Sequence, residues 1–297
     1  LELLALGGVG VAPARALERL PLWLMGCAAA LLGLGLLMAV AANWATWSRN
    51  VQFAVLQGAV LAGVIGAVAA PRGRMAWGVW VVLSTGGLFA FFGQTYQTGA
   101  DPWQLFALWA ALCLPLALGV RSDTVWSLWV LVAFTAISLW MTTQARQGSA
   151  AEGDGLATHV AAWGMSLAVV LGLNSRLGRQ LGAGAWARSL AACGAVVLVT
   201  AAATVALFGR DPAAEVLLAL AALGLVAWGA GRLATFDVFV LSAALLGLNV
   251  QLVGSLIRLL FSGGSSGDPI GLLLLTGMTA AGLLAASVAA VKIGRAH

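Results

Sequence analysis

Aliphatic runs of about twenty residues follow one another from Pro21 to Val291, with almost no charge inside them. A helix of that length crosses ~30 Å of hydrocarbon. Inside a bilayer every backbone amide must be paired within its own structure, so only helices or a closed barrel are admissible. The runs are continuous rather than alternating, which selects helices. Hydrophobic residues make up 62% of the 297-residue chain and charged residues 8%, against roughly 45–50% and 25% in soluble domains. Such a composition leaves no room for a sizeable soluble module.

The expected fold class is therefore all-α: a polytopic integral membrane bundle of about ten transmembrane helices. The spans are placed at 21–42, 51–70, 76–95, 103–120, 124–142, 156–173, 187–208, 213–230, 236–260 and 270–291. Residues 1–20 form a short N-terminal segment of the single domain 1–297, followed by spans one to five (21–142) and six to ten (156–291). Ala39-Val40-Ala41 fits a signal-cleavage pattern, but the run before it exceeds the ~7–15 apolar residues of a signal peptide. It is read as the first span.

This arrangement puts eleven of the fifteen basic residues on the side of the N-terminus, among them Arg15, Arg19, Arg72, Arg74, Arg121, Arg176, Arg179 and Lys292. Arg49, Arg146, Arg210 and Arg258 fall on the other. Lys and Arg accumulate in the cytoplasm, so both termini are expected there. The basic residues are spread over loops instead of lining one face, which argues against a nucleic-acid partner despite a net charge of +5. The expected partners are membrane lipids and either another membrane protein or a second copy of the chain.

Asp101-Pro102, Asp211-Pro212 and Asp268-Pro269 each open a span from the outer side. Asp at the N-cap accepts first-turn amides and Pro suits the first helical position. Ala54, Gly58, Ala62 and Gly66 make a small-residue stripe on span two, predicting close approach of another helix there. Trp23, Trp44, Trp47, Trp103 and Trp186 fall near span ends, as an interfacial belt does.

Polar groups in hydrocarbon are costly and mark candidate sites. The densest group closes span three and opens span four: Gln94, Tyr96, Gln97 and Asp101. Asn43 and Trp44 end span one at the same depth. These residues either line a cavity open to the periplasm or tie outer helix ends together. Asn249 and Gln251 lie mid-way along span nine, and Gln251, Ser255 and Arg258 share one face. They read as helix-to-helix ties or as ligand contacts. His159 has no second ligand at metal-binding spacing. Cys27, Cys113 and Cys193 lie in apolar runs as small hydrophobes. No catalytic triad, phosphate loop or buried carboxylate pair is present in the sequence. No catalytic residue, metal or cofactor is expected.

Val40-Ala41-Ala42-Asn43-Trp44, Gly93-Gln94-Thr95-Tyr96-Gln97, Leu105-Phe106-Ala107-Leu108-Trp109 and Leu114-Pro115-Leu116-Ala117 resemble a bacterial family of predicted membrane proteins, the one filed as domain of unknown function 2157. The resemblance covers roughly residues 10–142. It implies a bacterial inner-membrane location and supplies no activity. Its shared words fall on the outer polar patch, which makes Gln94, Tyr96 and Asp101 the foremost candidates and adds Trp109. The expected function is transporter-like or ligand-binding, with a periplasm-facing cavity for a neutral or amphipathic molecule such as a lipid or envelope component. A non-enzymatic scaffold or assembly factor is the alternative, and an outer-face enzyme the least favoured reading.

Overall fold

The computed structural model describes residues 12–43, 46–96, 99, 101–148, 155–208, 213–232 and 237–262. Every regular element among them is helical: α1 (Ala12–Ala42), α2 (Arg49–Ala69), α3 (Arg74–Tyr96), α4 (Pro102–Val120), α5 (Asp123–Gly148), α6 (Gly155–Asn174), α7 (Arg176–Gln180), α8 (Ala185–Leu207), α9 (Ala213–Ala230) and α10 (Val238–Ser262). A 3-10 turn, Pro71–Gly73, joins α2 to α3. Eight helices are long and apolar enough to cross a membrane, while α9 carries a shorter apolar stretch, Ala214–Ala230. The expected tenth span, 270–291, lies outside the described residues, as do Asp211-Pro212 and Asp268-Pro269. Two bounds depart from expectation by more than two residues. α1 starts at Ala12 and carries Pro21 inside it, which membrane helices tolerate. α5 continues to Gly148, six residues beyond the apolar run.

The chain divides at Val132/Ala133 into two compact units. In the first, α3 packs against α1, α2 and α4. α1 and α3 run parallel: Gly26 meets Met75, Gly33 meets Leu83 and Leu37 covers Gly87. The packing face of α2 is Gln52, Leu56, Ala59, Gly63 and Ala67. This corrects the small-residue stripe predicted there: Ala54, Gly58 and Ala62 are exposed, while Gly66 lies against Trp77. Small size permits close packing, but the face that is used lies one residue round the helix, where large partners on α3 fill the gaps.

Three tryptophans tie this unit together. Trp80 of α3 donates its indole N–H to the Ala59 carbonyl of α2 at 2.8 Å. Trp109 of α4 donates to Val82 of α3 at 3.1 Å, and Trp129 of α5 to Ala110 of α4 at 2.8 Å. A carbonyl has a second lone pair, so it can accept the indole without giving up its helical bond. The residue four positions on normally shields that carbonyl. At Ala59 and Val82 it is glycine, Gly63 and Gly86, and the indoles occupy the space a side chain would need.

In the second unit α8 packs against α6, α9 and α10. Val196, Val199, Ala203, Ala219, Leu223 and Ala244 form a buried core, with Trp163 against it. α8 and α10 lie parallel, with Thr200 beside Gly247 and Leu207 beside Gly254. Between α6 and α8, the hydroxyl of Ser175 caps α7 by accepting the Gly178 amide at 2.9 Å. A side chain on Gly178 would collide with the carbonyls of Gly172 and Leu173.

Candidate functional site

The polar patch at the Tyr96 end of the first unit is held by local bonds and aromatic contacts. Asn43 spends its amide on its own helix, Nδ2 donating to Ala39 at 2.8 Å. Tyr96, 51% exposed, leans on Phe92 with ring centroids 4.9 Å apart and on Phe53 at 5.8 Å. Phe53 in turn meets Phe91 edge-on at 4.4 Å. Gln94 is exposed. Asp101 occupies the N-cap of α4 with Pro102 after it, as the dipeptide predicts, but its side chain makes no capping hydrogen bond. Trp109 is spent on the Val82 carbonyl. Trp44 and Gln97 lie outside the described residues.

In the second unit, fully buried Gln251 donates to the Thr200 carbonyl at 2.8 Å and to the Thr204 hydroxyl at 2.9 Å, while its Oε1 has no partner. Arg258 reaches the Leu207 carbonyl at the end of α8, where a cation suits the helix dipole. The polar stripe of α10 thus faces α8, and its named bonds are helix-to-helix. Asn249 is half-buried. At the start of α10, Asp237 accepts the amides of Phe239 at 3.0 Å and Val240 at 3.2 Å, and also the Ser189 hydroxyl.

His159 is not alone. Its Nδ1 stands 3.2 Å from Oε1 of Glu215 in the first turn of α9, with both side chains largely buried. The two atoms are close without meeting as a hydrogen bond. Trp163 stacks beneath the imidazole. Fifty-six positions separate the pair in sequence, so spacing could not reveal it. Glu215 carried one signal, an acid in a first helical turn.

An opening in the first unit lies elsewhere. A cavity of about 560 Å³ runs between α2 and α4 over the face of α3. Val60, Val64, Val81, Leu88, Leu112 and Leu116 make its apolar walls. Arg74 stands at one end, and its Nε donates to the Ala67 carbonyl at 3.2 Å. Thr85 and Cys113 lie deeper, within hydrogen-bonding reach of each other, and Cys113 also reaches Trp109. None of Asn43, Gln94, Tyr96, Asp101, Trp109, Asn249 or Gln251 lines it. It occupies the Arg74 half of α3, away from the Tyr96 end. It has no signal in the sequence, where Arg74 is one basic residue of a short loop and Cys113 a small hydrophobe within an apolar run. Among the described residues, no group of three or more His, Cys, Asp and Glu side chains could hold a metal ion.

Helices of this length and apolarity, tied mid-span by indole-to-carbonyl bonds, define a multi-pass membrane protein. Residues 3–126 match the family model described as "Predicted membrane protein (DUF2157)". The match carries the resemblance read from the sequence and ends inside α5. Neither a curated protein nor a solved structure matches the chain.

Proposed function

We propose that this is a bacterial inner-membrane protein that binds an amphipathic molecule, with the groove of the first unit as its binding site and no chemistry performed on the ligand. One observation carries the reading: a cavity of about 560 Å³ with apolar walls and a single charged residue, Arg74, in its lining. Drug-sized sites commonly have ~300–1,000 Å³ and few polar groups. With the arginine-rich loops cytoplasmic, the Arg74 end meets the inner leaflet. The site therefore moves from the periplasmic patch suggested by the sequence to the opposite end of the same helices.

Gly119 lines the groove, and a Cβ added there has no neighbouring atom within 4 Å. Gly119→Trp projects an indole from that open position to occupy the groove. The test is native mass spectrometry of purified protein, delipidated and then offered phosphatidylcholine and phosphatidylglycerol. One lipid retained by the parent and lost from Gly119→Trp is the expected result. Equal retention by both proteins would remove the groove as a site.

A scaffold role is the second reading, favoured by the exposed Ala54, Gly58 and Ala62 face of α2. Such a face admits a partner helix. Cross-linking from position 58 to a second chain in membranes would support it.

A further inference from the structure

We infer that the occupant of the groove is a lipid with an anionic head, and that Arg74 selects it. The inference rests on the groove being a binding site, as proposed above. Lipid tails are about as apolar as leucine, so moving a tail from the bilayer into the groove brings little net gain. Selectivity must come from polar groups. Thr85 and Cys113 are within reach of each other and are almost fully buried, which suits them to one another more than to a ligand. Arg74 differs: it is exposed, it lines the groove, and it is the charged residue of that lining.

Its Nε is engaged with the Ala67 carbonyl. That bond fixes the plane of the guanidinium while four of its five N–H donors are left to the terminal nitrogens. A planar fork held in this way matches a phosphate or carboxylate with two parallel hydrogen bonds. No acid lines the groove to neutralise it. Arg72, two residues before it, and Arg121, one residue beyond the lining residue Val120, are both exposed. Basic residues at a membrane surface attract anionic lipid, each by ~1 kcal/mol.

The experiment uses the full-length protein in nanodiscs and native mass spectrometry, comparing phosphatidylglycerol with phosphatidylcholine on four proteins: the parent, Arg74→Gln, Arg74→Lys and Gly119→Trp. Arg176→Gln, an exposed arginine of the second unit, serves as the control for general surface charge. The parent is expected to favour the anionic lipid by about tenfold, which corresponds to ~1.4 kcal/mol. Arg74→Gln should keep one bound lipid but lose the preference. Arg74→Lys should keep part of it, because a point charge replaces a fork. Arg176→Gln should leave it unchanged.

An undiminished preference in Arg74→Gln overturns the head-group inference while leaving the groove in place. A preference lost equally in Arg176→Gln also overturns it, in favour of diffuse surface charge. Retention of both lipids by Gly119→Trp removes the groove itself. Displacement of the lipid by millimolar inorganic phosphate would assign the site to the free anion instead.

Discussion

The indole of Trp109 lies directly over Gly86, in space that any side chain at position 86 would have to take. The same indole donates to Val82, so the glycine is what opens the carbonyl to its partner. Gly86→Ala should displace the ring and break the bond, at a cost of ~1–3 kcal/mol by overpacking. Trp109→Ala in the same chain should relieve the clash, so the double variant loses less than the sum of the singles. Thermal unfolding in detergent measures this. Additive losses would mean that the two residues do not share the space.

Gln251 gives a contrasting expectation. Its two donated bonds link α10 to α8, but its Oε1 is buried without a partner. Replacing it with leucine removes the bonds and the orphan together. Hydrogen bonds between membrane helices average ~0.6 kcal/mol, so Gln251→Leu should shift stability by less than ~1 kcal/mol. Gln251→Glu should cost clearly more, because a carboxylate would be desolvated. A ligand-contact role would show instead as lost binding in Gln251→Leu at unchanged stability.

Asp237 fixes the first turn of α10. Asp237→Ala should cost about 1 kcal/mol, the usual value of an N-cap. It should also speed hydrogen exchange at the amides of Phe239 and Val240, which it accepts. Ser189→Ala removes the tie to α8 and leaves that exchange unchanged, which separates the cap from the cross-link.

His159 and Glu215 form a buried pair across α6 and α9. Removing one partner strands the other in a dry site, at ~1–3 kcal/mol. The paired change His159→Phe with Glu215→Leu should be less harmful than Glu215→Ala alone, since apolar replacement of a buried pair is often neutral or better. The cycle is measured by unfolding. Equal costs along both routes would show that the pair is not coupled.

The distribution of arginine predicts an orientation, and that prediction has its own test. On a cysteine-free background, Arg72→Cys should be shielded from an impermeant thiol reagent added to intact cells, and Gln104→Cys should react. Both positions are exposed, so burial does not confound the outcome. The reverse pattern would move the groove mouth to the other leaflet.

The spans are legible because the bilayer imposes length and apolarity on each segment separately. The match is close for α2, α3, α4 and α6, each within a residue or two of expectation. Asp101 as an N-cap position was also readable, from its dipeptide; the amide of Gln251 in hydrocarbon was readable only as either a helix-to-helix tie or a ligand contact. The groove was not readable. Arg74, Thr85 and Cys113 come from two helices, and each looks ordinary in its own segment. Glu215 beside His159 was hidden for the same reason.

What the sequence determined by itself is the solvent of this protein: a run of apolar residues long enough to span hydrocarbon can satisfy its backbone there only as a helix. What the tertiary structure decided is which face of each helix turns inward. Apolar side chains suit lipid and protein interior equally, so hydropathy carries no signal for that choice. Shape decides it. Trp80 finds Gly63 and Trp109 finds Gly86, leaving Ala54, Gly58 and Ala62 outside and a cavity between α2 and α4.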